Sequence, residues 1–243
     1  MPPLTAGTLY IVPTPIGNLE DITLRALNTL REVDLVVCED TRQTSKLLNH
    51  FQIQKPLVSF YTYNQLRRIP QIIGELRAGK TAALVSDSGT PGISDPGYYL
   101  VRQALEDHLS VVSLPGPSAV VTALAGSGLP SDGFVFLGFL RRKPGKQKKE
   151  LLAAAGIGKT VIFYESPYRI QKTISLCLRI FPPETQVVLA RELTKTFEEY
   201  LRGTLQEMNR QLEQRELKGE IVVLLSLPEH GKEEKEESVE YQE

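Results

Sequence analysis

The chain has 243 residues, 41% hydrophobic and 23% charged, with 18 glycines, 16 prolines and no tryptophan. That composition is ordinary for a globular protein and excludes collagen-like, coiled-coil and wholly disordered chains. The formal net charge of −1 is the balance of two unlike parts, since residues 229–243 carry −5 and the rest of the chain +4. Apolar runs are short and broken by Pro or Gly, as in Val111-Val112-Ser113-Leu114-Pro115, so no bilayer span is expected. The start Met1-Pro2-Pro3-Leu4 lacks the basic and apolar regions of a signal peptide. Two cysteines, Cys38 and Cys177, form neither a disulfide framework nor a metal spacing. A cytoplasmic protein is expected.

In chain order, Thr8 to Val12 reads as a strand, followed by a helix that Asp21 could cap, with Ala26, Leu27, Leu30 and Val33 on one face. Leu35 to Cys38 reads as a buried strand, Thr41 to Phe51 as a helix, Leu57 to Tyr61 as a strand and Gln65 to Ala78 as a helix. Thr81 to Ser86 and Ser110 to Leu114 read as strands flanking a helix over Gly97 to Asp107, and Ser118 to Ala125 as a further helix. Uniformly apolar strands joined by crossover helices predict a parallel sheet covered on both faces. After Gly126-Ser127-Gly128-Leu129-Pro130 the rhythm restarts. Strands are expected at Phe134–Phe139, Thr160–Tyr164, Gln186–Ala190 and Glu220–Leu225, with helices near Lys146–Ala155, Tyr168–Ile180 and Thr204–Glu216. The expected organisation is two successive α/β domains, residues 1–122 and 123–228, and an acidic, disordered tail at 229–243.

Ligands of open parallel sheets bind outside the carboxyl ends of the strands, and unusual segments fall there. Pro13 to Asn18 follows the first strand, Glu39-Asp40-Thr41-Arg42 the second, Ser86 to Gly97 the fourth and Pro115 to Ala119 the fifth. The second half adds Tyr164-Glu165-Ser166-Pro167-Tyr168-Arg169 and Arg191-Glu192-Leu193-Thr194-Lys195. The segment 86–97 is rich in Gly and Pro, which permit tight turns and close backbone approach to a ligand. It holds Asp87 and Asp95 but no Lys or Arg. Neither G-x-x-x-x-G-K-[ST] nor a G-x-G-x-x-G after the first strand occurs, which disfavours nucleoside triphosphates and dinucleotides. A phosphate-free, positively charged adenosine cofactor, S-adenosylmethionine, suits the loop better. Three scattered histidines (His50, His108, His230) offer no metal site, and no G-x-S-x-G elbow supports a serine nucleophile.

Glu39 and Asp40 could bind a ribose or could pair with Arg42. Glu165, Arg169, Arg191, Glu192 and Lys195 could form a site or a structural ion network. The stretch Arg141 to Lys149 holds six cations and no acid. It reads either as a solvated loop or as an element contacting RNA phosphates.

The segments Pro15-Ile16-Gly17-Asn18-Leu19-Glu20-Asp21-Ile22-Thr23, Cys38-Glu39-Asp40-Thr41-Arg42, Ser86–Gly97 and Pro115–Ala119 resemble those of the tetrapyrrole-methylase superfamily (class III S-adenosylmethionine methyltransferases). With Tyr164 to Arg169, Arg191 to Lys195 and Lys218-Gly219-Glu220, they resemble its ribosomal RNA branch, the RsmI-type cytidine 2′-O-ribose methyltransferases of bacteria. The resemblance spans residues 7–227. It implies two α/β domains with S-adenosylmethionine in the interdomain cleft, a homodimer, and methyl transfer to the 2′-hydroxyl of a cytidine in the decoding region of 16S rRNA, presented as RNA or as the small ribosomal subunit.

Carried over position by position, the resemblance implies cofactor contacts at Ile16, Gly17, Ser88, Gly89, Thr90, Ile93, Ser118, Ala119, Glu165 and Leu193. The tetrapyrrole enzymes of the superfamily begin on G-x-G-x-G-D, where this chain has Pro13-Thr14-Pro15-Ile16-Gly17-Asn18. That departure favours RNA over a tetrapyrrole precursor as substrate. A C-methyltransferase of such a precursor and a noncatalytic RNA-binding protein of the same fold are the alternatives. Deprotonating a ribose hydroxyl is a general-base task, for which Glu192, Lys195 and Glu165 are the candidates. Arg42 and Arg169 are expected to hold RNA phosphates, together with Arg141, Arg142, Lys143, Lys146, Lys148 and Lys149.

Overall fold

In the computed structural model, which describes residues 4–227, the chain divides into two units: residues 4–122 with 192–198, and residues 123–191 with 199–227. The first unit contains β1 (Thr8–Ile11), β2 (Leu35–Cys38), β3 (Leu57–Ser59), β4 (Ala82–Leu84) and β5 (Ser110–Ser113). They form one sheet in the order β3-β2-β4-β1-β5, and every pairing is parallel. Between them run α1 (Leu24–Glu32), α2 (Thr41–His50), α3 (Gln65–Arg77) and α4 (Tyr98–Glu106), with α5 (Ala119–Ser127) after β5.

Strand side chains alternate between two faces, and this sheet uses both. Leu9, Ile11, Val37 and Leu84 pack against Ile72 and Leu76 of α3 and Leu100 and Ala104 of α4. Their neighbours Tyr10, Val12, Val36 and Cys38 pack against Ala26, Leu27 and Leu30 of α1 and Leu48 of α2. The double burial explains why the strands read as continuous apolar runs rather than alternating ones.

One expectation shifts at a helix start. Asp21 does not cap α1; it ends a single 3-10 turn over Leu19–Asp21, and Thr23 is the cap, its hydroxyl accepting from the Ala26 N–H at 3.0 Å. Asp40 caps α2, accepting from the Arg42 N–H at 2.8 Å.

The second unit has a mixed sheet of β6 (Phe134–Phe139), β7 (Thr160–Glu165), β8 (Gln186–Arg191), β9 (Glu199–Thr204) and β10 (Ile221–Ser226), ordered β6-β7-β10-β8-β9. Only β6 and β7 pair in parallel; the other pairings are antiparallel. Helices α6 (Pro144–Ala155), α7 (Ile170–Ile180) and α8 (Leu205–Gln214) complete it. Leu151, Ile174, Leu205 and Met208 from these helices close on Val161, Phe163, Val187, Leu189 and Val223 of the sheet.

β9 was not expected, because Glu199 and Arg202 give it the look of a charged loop. As an edge strand it tolerates them, and Glu199 is held between Arg191 (3.1 Å) and Arg215 (2.8 Å). The division near residue 122 falls within α5, and the short excursion 192–198, inserted between β8 and β9, belongs to the first unit. The acidic tail expected at 229–243 lies outside the described residues.

Candidate active site

Parallel strands deliver their following loops to one sheet edge, and in the first unit the loops after β1, β4 and β5 are stitched together there. Thr14 and Gly89 exchange backbone hydrogen bonds of 2.9 and 3.0 Å. The Thr14 hydroxyl donates to the Ser86 carbonyl and the Ser86 hydroxyl to the Gly89 carbonyl, both at 3.0 Å. The Thr90 hydroxyl reaches across to the Pro117 carbonyl at 3.0 Å.

Glycine is required where these loops touch. Gly89 has φ +82°, and a Cβ there would lie 3.3 Å from Ile16 Cγ2. Ile16 itself is buried and Gly17 exposed, so the loop turns from core to surface between them. The structure therefore gathers Ile16, Gly17, Gly89 and Thr90, with Ser118 and Ala119 following Pro117 at the start of α5. Ser88 and Ile93 lie exposed on the same long loop.

The excursion 192–198 docks on the β1 loop. A Cβ on Gly17 would lie 2.5 Å from Lys195 Cγ, 2.8 Å from Thr194 Oγ1 and 3.0 Å from the Leu193 carbonyl. The Asn18 N–H donates to Thr194 Oγ1 at 3.0 Å. Glu192 and Thr194 both adopt positive φ, +50° and +64°. For residues with a Cβ such geometry persists only when the surroundings hold it. The hold is visible: Lys195 N–H donates to the Glu192 carbonyl (3.0 Å), Glu198 N–H to the Lys195 carbonyl (3.1 Å), and Thr194 N–H to Glu198 Oε2 (2.5 Å). Leu193 is buried, and Lys195 Nζ meets Glu192 Oε1 at 3.0 Å on partly exposed side chains. Thr194 was not singled out from the sequence; a hydroxyl between two charged residues carries no distinguishing signal there.

Carboxylates gather at the same edge, after β2 and β4. The Asp40 N–H donates to Asp87 Oδ1 at 3.2 Å. Burial, then repulsion from Glu39 and Asp87, pushes the Asp95 carboxyl up to about 6. Glu39 and Asp87 are also raised, in each case chiefly by burial. Asp40 is the exception, held at about 2 first by its side-chain hydrogen bonds with Arg42. Its carboxylate and the guanidinium meet in a two-point pair of 2.7 and 3.1 Å. The pairing with Arg42 that the sequence offered for Asp40 is present. The raised acids Glu39, Asp87 and Asp95 make a region of negative potential, which suits a cationic ligand and disfavours a phosphate. The donor set thus fits a sulfonium cofactor. A cavity of about 210 Å³ lined by Pro15, Ser86, Asp87, Thr44, Lys46 and Leu47 opens beside it.

Glu165 was expected as a base and a cofactor contact. It lies in the second unit with a fully buried side chain. One oxygen accepts from the Ser166 N–H and the other from the Thr173 hydroxyl, both at 2.7 Å, and Arg169 Nε stands 3.3 Å away. Those contacts make it an anchor and do not fit a proton acceptor for a substrate. Arg169 in turn donates to the Leu140 and Arg141 carbonyls at 3.1 and 3.4 Å, fixing the start of the basic stretch. Arg141, Arg142 and Lys143 are exposed in the connection and Lys146, Lys148 and Lys149 on the first turns of α6. Among the five charged residues grouped from the sequence, Glu165 pairs with Arg169, Arg191 with Glu199, and Glu192 with Lys195.

Among the described residues no group of three or more His, Cys, Asp or Glu side chains is arranged for a metal ion. No described helix is long and apolar enough to cross a membrane.

Comparison with known proteins agrees with this architecture. Residues 8–209 match the family model of the Tetrapyrrole (Corrin/Porphyrin) Methylases. The chain is 50% identical over 222 residues to the ribosomal RNA small subunit methyltransferase I of Streptococcus pyogenes serotype M18, covering 91% of this chain and 77% of that one. It is 53% identical over 196 residues to the protein of the same name from Vibrio cholerae serotype O1, covering 81% and 68%. The structure of uroporphyrin-III C-methyl transferase from Thermus thermophilus, solved with S-adenyl homocysteine, superposes with a TM-score of 0.64 at 18% identity, covering 90% of this chain and 97% of that one. Sheets, loop order and relatives concur: the chain belongs to the tetrapyrrole methylase family and, within it, to the ribosomal RNA small subunit methyltransferase I group.

Proposed function

We propose that the protein uses S-adenosylmethionine to methylate the ribose 2′-hydroxyl of a cytidine in the decoding region of 16S rRNA. The observation that carries this reading is the 50% identity over 91% of the chain to a small-subunit ribosomal RNA methyltransferase. Ile16, Gly17, Gly89, Thr90, Ser118, Ala119 and Leu193 would hold the cofactor, with Ser88 and Ile93 at its exposed side. The carboxylates of Glu39, Asp87 and Asp95 would face its positive charge. When bound, that cofactor supplies an electrophilic methyl group on a sulfonium.

The chain's own residues do the rest. The stitched loops fix the approach of the attacking oxygen, and such positioning is worth about 7–11 kcal/mol of barrier. Glu192 accepts the proton that the 2′-hydroxyl gives up. Lys195, ion-paired with Glu192 at 3.0 Å, stabilises the negative charge that grows on the oxygen. Glu165 acts through Arg169 as a positioning residue for the basic stretch. Arg141, Arg142, Lys143, Lys146, Lys148 and Lys149 contact RNA phosphates, and exposed Arg42 does so from the first unit.

A cytoplasmic homodimer completes the proposal. It is supported by exposed Tyr98, Tyr99 and Leu105 on α4, beside an apolar groove of about 570 Å³ lined by Leu84, Pro91 and Val101. The test supplies methyl-labelled S-adenosylmethionine with small subunits lacking the modification, or with a tetrapyrrole precursor. Label recovered as 2′-O-methylcytidine is expected. Label in the tetrapyrrole, or in neither, overturns the assignment.

A further inference from the structure

Phe139 ends β6 opposite Tyr164 of β7, after a register shift between Phe136 and Phe139 in which Gly138 takes φ +64°. Bulges of this kind re-aim a side chain. Here the bulge brings the Phe139 ring against Tyr164, centroids 5.3 Å apart, while leaving Phe139 62% exposed. On the neighbouring connection, just after β7, Tyr168 is 93% exposed. The two connections are tied together, since Arg169 donates to the carbonyls of Leu140 and Arg141 and is itself held by buried Glu165. Two solvent-facing rings thus flank the start of a six-cation segment. Among the described residues, Glu150 approaches Arg141 at 3.9 Å.

An exposed large ring is costly to leave in water, and a ring beside a run of cations has a specific use. Unpaired bases stack on aromatic faces while their phosphates are neutralised by Lys and Arg. From this arrangement we infer that Phe139 and Tyr168 form a stacking platform for unpaired nucleobases, on the carboxyl-end edge of β6 and β7. The platform selects single-stranded over duplex RNA, because bases in a duplex are already stacked. It deepens the ribosomal RNA reading and rests on it, adding to the cations a group that senses strand state.

The test measures binding of the full chain to a fluorescent single-stranded oligoribonucleotide of mixed cytidine and uridine, and to an RNA duplex of equal length. Thermal unfolding of each variant checks the fold. Tyr168→Ala and Phe139→Leu should each weaken single-strand binding about five- to 150-fold. Phe139→Leu keeps apolar bulk against Tyr164 and loses only the aromatic face, and Tyr168→Phe should restore binding. Duplex affinity should move less than twofold, and the salt dependence should keep its slope because no cation is removed. Single-strand affinities within twofold of the parent, or equal losses on both RNAs, overturn the platform. So does a change in self-association with RNA affinity intact, which would make the rings a protein interface. A parent chain that binds neither RNA overturns the ribosomal RNA reading and the platform with it.

Discussion

Asp95 shows how a single residue can trade stability for function. Its carboxyl titrates near 3.8 in an unfolded chain and near 6 in the folded one. Between those values the native state holds more protons, so the residue's contribution to stability falls as pH rises and is fully lost above about 6. Asp95→Asn should therefore raise the melting temperature at pH 7.5, by about 2–4 °C for each ~1 kcal/mol relieved. The gain should shrink as pH drops through 6 and vanish near 4; a gain independent of pH would mean the carboxylate is not strained. Glu192→Gln should reduce kcat at least ~10²-fold with little change in cofactor affinity, as removal of a proton acceptor predicts. Near-parental turnover would take Glu192 out of the chemistry. At this scale the sequence was partly legible. The absence of Lys and Arg from 86–97 pointed to a cationic ligand, and the raised Glu39, Asp87 and Asp95 agree with that. The burial of Glu165 was not legible, because an acid followed four residues later by Arg looks the same whether it is exposed or bonded to Thr173 in the core.

Among the elements, runs of apolar residues were readable nearly to the residue: β2, fully buried, and β6, a half-exposed edge strand, both occupy the expected spans. The exceptions have local causes. Asp21 competes with Thr23 for the role of cap, and the geometry of the 3-10 turn decides for Thr23. β9 hides because its acid Glu199 is neutralised by Arg191 and Arg215, residues outside the strand. The segment 192–195 could not be read as a strained, docked excursion, since positive φ at Glu192 and Thr194 is imposed by contacts with Glu198 and the β1 loop. The first turns of α6 carry an element-scale expectation. Replacing Lys146, Lys148 and Lys149 by Gln should weaken RNA binding and flatten its salt dependence by up to about 0.7–0.9 log units per lost phosphate contact, with cofactor binding intact. An unchanged slope would return this helix start to an ordinary solvated surface.

For the whole molecule, the alternation of apolar strands and helices predicted two α/β halves. The parallel order β3-β2-β4-β1-β5 realises that pattern in the first. The mixed sheet of the second was beyond reach, because antiparallel and parallel pairing leave similar marks on short buried strands. The central physical claim is that the first unit's stitched Gly/Pro loops, with the carboxylates of Glu39, Asp87 and Asp95 beside them, take a phosphate-free cationic methyl donor. Titration calorimetry of the chain against S-adenosylmethionine, its demethylated product and ATP tests this most directly. Saturable heat with S-adenosylmethionine and its product, and none with ATP, is the predicted result. No heat with S-adenosylmethionine, or equal affinity for ATP, would contradict it.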